Sequence, residues 1–490
     1  MPEQQNINNL IERKQYMQML RNLKDQNIIK VITGVRRCGK STLLQMFADE
    51  LLQNGVLSEQ IQFYNFEDLD TLAIGDIFHI HSHIKNKLVA DKMNYIFLDE
   101  VQNIKDFQRL VDSLFIKKNC DVYVTGSNAY LLSGELATLL TGRYIEINIL
   151  PLQFAEYHNF ITSKSPNLAK MESLAILDTQ NIDNQQITTV NSQNLPKTES
   201  FRISDTQNID NQQVITSNSP NLQKKESLGI SSTQNADNQQ NTNLSKIEIL
   251  TNFLQEGGIP EYYNQKKISQ KQADSFVESV LNTIIEKDIF QRLTIKDKHN
   301  FNKIIDFVFD SVGSFVSPRS ISNTLRTNGL IIDNKTVAKY IDAMCEAFLI
   351  YKVPRYEIKG KGLLQTLNKY YLVDPCFRKV RLKREMVKDR SHWLENAVYF
   401  ELVRRYRDVF IGKKDNLEVD FVCTDHNGYT SYYQVSWTTE NPETLERELA
   451  SLRAIKDSNP KYLLTTDIDF NPVYDGIRKL NVVDWLLQTL

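Results

Sequence analysis

Over roughly the first 157 residues, short runs of β-branched and aromatic side chains alternate with longer stretches of helical periodicity. That is the pattern of a parallel sheet wrapped by helices. Five runs read as strands: IIKVIT ending before Gly34, QIQFYNF from Gln60, YIFLD ending at Asp99, DVYVT ending before Gly126, and RYIEINI from Arg143. The pattern then lapses. From Ser163 to Lys246 the chain is dominated by Asn, Gln, Ser and Thr, with Phe201 as its only aromatic residue, a composition that cannot bury a core. DTQNIDNQQ starts at Asp178, recurs at Asp205 and returns as STQNADNQQ at Ser232, a period of 27 residues. Such a period can signal a solenoid, but these units lack the apolar positions that stacked repeats bury, so the stretch is expected to be a duplicated, disordered surface insertion.

Helical periodicity resumes beyond it. EGGIPEYY supplies a turn at Gly257 and Gly258 before a helix from about Gln270 to Phe290. FNKIIDFVFDSV, SPRSISNTLR and NKTVAKYIDAMCEAFLI then read as three helices, followed by the extended YKVPRYEIK, a turn at Gly360 to Gly362, and KYYLVD. Three helices and a β-ribbon describe a winged helix. The last part offers a helix through His392 to Arg405, strands VFIGK, LEVDFVC, SYYQVSW and KYLLTT, and a helix from Glu443 to Lys456, a small α/β domain. The expected fold class is α/β: a parallel-sheet domain over 10–157, the insertion over 158–248, a helical subdomain over 249–300, a winged helix over 301–374 and a terminal α/β domain over 375–490.

A chain of 490 residues has room for about three domains at roughly 150 residues each. Its 58 basic and 60 acidic residues leave a net charge of -2, which argues for no particular partner. The charge is uneven, however. Residues 334–405 carry 16 Lys plus Arg against 8 Asp plus Glu, so that region is +8 and the remainder -10. No run of 18 apolar residues occurs, and MPEQQNINNLIERK has no apolar signal core, so a soluble cytoplasmic protein without a membrane partner is expected. Cys38, Cys120, Cys345, Cys376 and Cys423 are far apart and lack C-x-x-C spacing, which argues against a disulfide framework or a zinc knuckle.

The strongest chemical signal is Gly34-Val35-Arg36-Arg37-Cys38-Gly39-Lys40-Ser41, with Thr42 behind it, which fits G-x-x-x-x-G-K-[ST] where a strand gives way to a helix. In that context backbone N–H groups cradle phosphates, Lys40 reaches the β and γ phosphates and Ser41 ligates Mg²⁺, so ATP and magnesium are the expected ligands. YIFLDE ends in Asp99, suited to hold the magnesium, and Glu100, suited to polarise the attacking water. DVYVTGSN ends in Ser127 and Asn128, polar groups for the γ-phosphate or the water; Ser127 reads equally well as a helix cap. Arg143 is either an arginine finger, in its own chain or in a neighbouring subunit of a homo-oligomer, or a surface salt-bridge residue. Arg36 and Arg37 are phosphate or partner contacts, or solvated charges. Cys38 reads as a small buried filler. His79, His81 and His83 alternate without a third ligand at zinc spacing, which discounts metal.

These elements, together with IERKQYMQML ahead of the P-loop and TGSNAYLLSGELATLLTGRYIEINILPLQFAEY after it, resemble the prokaryotic AAA-like ATPases that carry a C-terminal domain of unknown function. The likeness resumes with EGGIPEYY, SISNTLR, NKTVAKYIDAMCEAFLIYKVPRYEIKGK, KYYLVD and HWLENAVYFELVRR, and so spans nearly all of the chain except the repeats. The resemblance implies ATP binding and a C-terminal restriction-endonuclease-like core.

Read on their own, Glu395, Asp420 on LEVDFV and the QVS strand follow the order of a metal-dependent nuclease core. The third strand carries Gln434, Val435 and Ser436 where acid-x-Lys is usual. One carboxylate is thus an amide and the lysine is missing, unless Lys413 or Lys414 replaces it, so a degenerate scaffold is expected. Lys335, Thr336 and Lys339 stand at the start of the third helix of the winged-helix region, where base-edge and phosphate contacts to double-stranded DNA are usual. The sequence reading is thus an ATP-hydrolysing module whose nucleotide state controls this C-terminal half, on DNA or against a protein partner. The alternatives are an ATP-gated protein-interaction module with little hydrolysis, or an active ATP-regulated nuclease.

Overall fold

In strand β1 (Ile29–Thr33) every residue is buried, and the same holds for β3 (Asn94–Asp99). Strands without a polar face belong inside a sheet covered on both sides, and they sit there. The computed structural model describes residues 11–127, 129, 140, 142–163, 245–293, 295, 297–327, 329–360, 362–383, 389–468 and 472–488. With β2 (Ile61–Asn65), β4 (Cys120–Thr125) and β5 (Tyr144–Asn148), the first sheet has the order β2-β3-β4-β1-β5, all neighbours parallel. The register sets Ile32 beside Thr125 and Leu98 beside Val124, so β1, β3 and β4 end at one edge. In an open parallel sheet that carboxyl edge is where ligands bind.

Helix α1 (Lys14–Leu23) precedes β1, and α2 (Lys40–Gln53) follows the P-loop. After α3 (Leu69–Leu72), α4 (Ile77–Asn86) starts at Asp76, whose side chain caps the N–H groups of Phe78 and His79. Helix α5 (Phe107–Phe115) buries Phe107, Leu110, Val111 and Leu114, an i, i+3, i+4, i+7 stripe, against the sheet.

The helices on either side of the repeat segment, α6 (Phe154–Ser163) and α7 (Lys246–Glu256), pack on each other. Phe154 and Tyr157 pack against Phe253 with ring centroids 5.6 and 5.3 Å apart. A capping box of Ser245 and Glu248 starts α7. Pro260 opens α8 (Pro260–Lys266), and α9 (Gln270–Thr283) runs on into a π-helical stretch, Ile284–Phe290. The expected single helix to Phe290 is therefore present, with its last seven residues wound wider. The repeats themselves lie outside the described residues.

Beyond α10 (Gln291–Leu293) come α11 (Lys298–Asp310), β6 (Phe315–Val316), α12 (Pro318–Thr327), α13 (Asn334–Glu346), β7 (Ile350–Glu357) and β8 (Gly362–Leu372). Asp374 caps α14 (Pro375–Leu382), and α15 (Arg390–Arg405) leads into β9 (Asp408–Lys414), β10 (Leu417–Thr424) and β11 (Thr430–Val435). The chain ends with α16 (Pro442–Arg453), β12 (Lys461–Thr465), β13 (Val473–Tyr474), β14 (Ile477–Asn481) and α17 (Val482–Leu487). Among the described residues β6 to β14 form one nine-stranded sheet, β13-β14-β12-β11-β10-β9-β7-β8-β6. The joint is β7 with β9, parallel, pairing Arg355 with Ile411 and Glu357 with Lys413. A ribbon left alone would expose an unpaired edge; here the edge is covered. Residues 1–161 and 244–490 make one compact unit. No helix among the described residues is long and apolar enough to cross a membrane.

Candidate nucleotide site

The P-loop leaves β1 with two glycines in conformations that a side chain would strain, Gly34 at φ 141° and Gly39 at φ 103°. At Gly34 space forbids a side chain as well, because a Cβ would strike the Ile149 carbonyl. Lys40, 4 % exposed, turns its Nζ onto the carbonyls of Gly34 at 3.0 Å and Val35 at 3.2 Å, and stands 3.8 Å from Glu100. Its charge is held inside the loop that phosphates would fill.

Asp99 ends β3 and is buried, accepting from the Thr125 hydroxyl at 2.5 Å and from Ser41. Burial pushes its carboxyl above the usual range despite those donors. A hydroxyl from the first turn of α2 and a carboxylate from the strand end are hard oxygen donors side by side, the set Mg²⁺ takes. Glu100 adopts a left-handed conformation, φ 54° and ψ 47°, unusual outside glycine. Ser127 donates to both of its oxygens, at 2.7 and 2.9 Å, and Gln102 donates as well. Burial alone would raise Glu100, yet Lys40, Ser127, Gln102 and Arg36 together hold it below the ordinary value, so it stays ionised.

An open cavity of about 620 Å³ lies against Arg37, Cys38, Gly39, Lys40, Ser41 and Thr42. The lining also includes the apolar Ile11, Leu152, Phe160 and Pro260, with Glu261 and Asn264 from α8. It thus offers both polar groups suited to phosphates and apolar surface suited to a flat base. Arg13 braces the loop, donating to the carbonyls of Cys38 at 3.2 Å and Leu150 at 2.7 Å and pairing with Glu156 at 2.9 Å. Cys38 is buried, which raises its thiol.

Gly34 to Thr42, Asp99, Glu100 and Ser127 thus gather at one edge of the sheet. Asn128 lies outside the described residues. Arg143 is elsewhere: its carbonyl accepts from Ile29, the first residue of β1, whereas the P-loop follows the last. Its guanidinium pairs with Asp112 at 2.6 Å. The expectation that Arg143 serves the phosphates of its own chain is therefore corrected, because parallel pairing puts the start of β5 at the opposite end of the sheet. Arg36, read as a phosphate or partner contact or a solvated charge, is held by Asp288, which no sequence motif announced. His79 meets Asp76, His81 meets Ser113 and His83 packs on Tyr64, so the three do not converge.

In the second sheet Glu395 on α15, Asp420 on β10 and Gln434 on β11 come together. A lysine is present after all, but from β8. Lys369 Nζ lies 2.7 Å from Glu395, 2.6 Å from Glu418 and 4.0 Å from Asp420. Burial works against its charge, but the three carboxylates raise its pKa and keep it protonated. Lys413 and Lys414 instead face Glu357 and Asp415, which corrects the expectation that either replaces the missing lysine. Tyr371 donates to Glu395, and the Val435 amide donates to Asp420 at 2.8 Å. Gln434 donates to Glu448 and accepts from the Asp420 amide and Ser451. These oxygens do not fit a metal cage, and among the described residues no group of three or more His, Cys, Asp or Glu is arranged to hold one.

At the start of α13, Lys335 and Lys339 are exposed beside a shallow groove that also carries Asp342 and Glu346. The Thr336 hydroxyl is not free for a base edge, since it donates to Asp333 at 2.6 Å.

An AAA domain model matches residues 26–158, and a domain of unknown function matches residues 247–388. A Haemophilus influenzae protein described as uncharacterized is 32% identical over 480 residues, 98% of this chain and 99% of the relative. An uncharacterized Methanocaldococcus jannaschii protein is 24% identical over 465 residues, covering 94% and 85%. Among solved structures, the Walker-type ATPase of Pyrococcus abyssi is similar over 77% of this chain and 97% of its own, at 14% identity and a TM-score of 0.40. Cdc6p from Pyrobaculum aerophilum covers 76% and 95%, at 11% identity and a TM-score of 0.24.

Proposed function

Since the chain belongs to the same family as its full-length Haemophilus influenzae relative and begins with an AAA-like P-loop ATPase domain, we propose that it binds and hydrolyses Mg-ATP. The further proposal is that its nucleotide state controls the C-terminal half, which acts on DNA. Glu100 carries the hydrolytic reading. A buried carboxylate kept ionised, hung from Ser127 and 3.8 Å from Lys40, is poised to accept a hydrogen bond from water and polarise it. The loop amides and the N-terminus of α2 receive the phosphates, and Lys40 exchanges the Gly34 and Val35 carbonyls for them. Ser41 and Asp99 would hold magnesium, which when bound offsets the charge on the terminal phosphoryl group.

The +8 balance of residues 334–405 supports a polyanionic partner for the C-terminal half. Asp333, Asp342 and Glu346 beside Lys335 and Lys339 argue for a protein surface as the alternative. The engagement of Glu395 and Asp420 with Lys369, Tyr371 and the Val435 amide supports a binding scaffold over a cutting centre.

The test is steady-state turnover of the wild type against Glu100→Gln, with magnesium, with and without duplex DNA. We expect a loss of about 10²- to 10⁴-fold in the variant with nucleotide binding kept, and acceleration of the wild type by DNA. Turnover indifferent to DNA would move the partner to a protein. Equal inactivity of both proteins despite tight ATP binding would end the hydrolytic reading, and magnesium-dependent nicking of a plasmid would revive the nuclease.

A further inference from the structure

The P-loop carries three cations, Arg36, Arg37 and Lys40, and in this structure the protein itself holds two of them, Lys40 and Arg36. Lys40 rests on the Gly34 and Val35 carbonyls. Arg36 leaves the loop on the other side, toward a segment 252 residues later in the chain. Its Nε donates to one oxygen of Asp288 at 2.7 Å and a terminal nitrogen donates to the other at 3.0 Å, a two-pronged pair. Glu67 takes the remaining prong at 3.2 Å.

Asp288 is 4 % exposed and belongs to the π-helical stretch Ile284–Phe290, a winding that proteins keep mostly where function repays its poorer geometry. It also feels the charges of Glu100 and Lys40, so it lies within electrostatic reach of the two charged residues of the candidate site. Burial pushes its carboxyl up, and the bonds and charge of Arg36 pull against that shift. A terminal phosphate entering beside Lys40 competes for Arg36 with the same kind of fork-shaped bond. ADP brings no such competitor.

We propose that Asp288 is a positioning residue that senses the terminal phosphate of ATP. It holds Arg36 where no terminal phosphate is bound and yields it to that phosphate, so that ATP loosens the tie between the P-loop and the π-helical segment. This rests on the reading that the loop binds Mg-ATP. It also gives that segment, which leads directly into α10 and α11, a reason to respond to ATP and not to ADP.

The experiment measures the affinities of the full chain for Mg-ATPγS and Mg-ADP, in the wild type, Asp288→Asn, Arg36→Gln and the double variant. Asp288→Asn is expected to tighten ATPγS about 5- to 10-fold with ADP moved less than about 2-fold, because the competing carboxylate is gone. Arg36→Gln is expected to weaken ATPγS about 10-fold or more and again spare ADP. The double variant, which removes both buried charges together, guards against a single variant that fails to fold; it should show the Arg36→Gln affinities. Hydrogen exchange supplies a second readout: ATPγS should speed exchange in Ile284–Phe290 of the wild type, while ADP should not. If the ATPγS-to-ADP ratio is the same in all four proteins, Asp288 is a structural anchor and the inference fails while the ATP site stands. A wild type that binds neither nucleotide overturns both.

Discussion

At the scale of single residues, the chain repeatedly places a charge where only a particular partner makes it tolerable. Asp374 is fully buried, accepting from the amides of Gly258 at 2.6 Å and Cys376 at 3.0 Å. Burial raises its pKa to about 6, against about 3.9 for an unfolded aspartate. The folded protein therefore keeps this proton to a higher pH than the unfolded chain does. The stabilisation is complete below about pH 4 and is lost as pH rises through about 6, a change of about 3 kcal/mol. Urea melts from pH 4.5 to 7 of the wild type and Asp374→Asn should show the difference in stability moving against the wild type as pH rises. A difference independent of pH would mean that Asp374 titrates normally.

At the scale of elements, the second sheet depends on a lysine that its neighbours in sequence do not reveal. Lys369 on β8 is 5 % exposed and pairs with the buried Glu395 from α15 and the partly exposed Glu418 from β10. Taking the ammonium away would strand the buried Glu395 carboxylate, which typically costs about 3–5 kcal/mol. Lys369→Met should lose that much stability in chemical denaturation. A loss below about 1 kcal/mol would show that solvent cations replace the ammonium without difficulty. The same logic explains why Lys413 and Lys414, nearer in sequence to Asp420, do not serve: β9 directs Lys413 to Glu357 and its end leaves Lys414 beside Asp415.

At the scale of the whole molecule, the segments before and after the repeats are one unit, and contacts across them fasten the nucleotide edge to the C-terminal sheet. Thr33, the last residue of β1, accepts from Asn148, which accepts from the Tyr351 hydroxyl at the start of β7. Leu152 donates to Gly258, and Arg404 donates to Pro151. Because α6 and α7 pack on each other through Tyr157 and Phe253, the chain re-enters next to where it left. Replacing residues 164–244 by a short Gly/Ser linker should therefore keep Mg-ATP binding and leave the thermal midpoint within about 4 °C, since loop-closure entropy changes slowly with length. A drop of 10 °C or loss of binding would give the repeats a structural role.

The sequence by itself determined whatever depends on neighbours along the chain. Strand runs, the P-loop at a strand-to-helix junction, Asp99 and Glu100 at a strand end, and a low-complexity break are local patterns, and local patterns survive without a partner in view. Tertiary structure alone decided which distant charges meet. Arg36 with Asp288, Lys369 with Glu395, and Arg143 set at the opposite end of β5 from the phosphates each depend on strand order and on helices returning over the sheet. The physical reason is that an ion pair is fixed by distance in space, which neither composition nor periodicity encodes. The nine-stranded sheet follows the same rule, because β7 and β9 both carry strand patterns and only their pairing joins them.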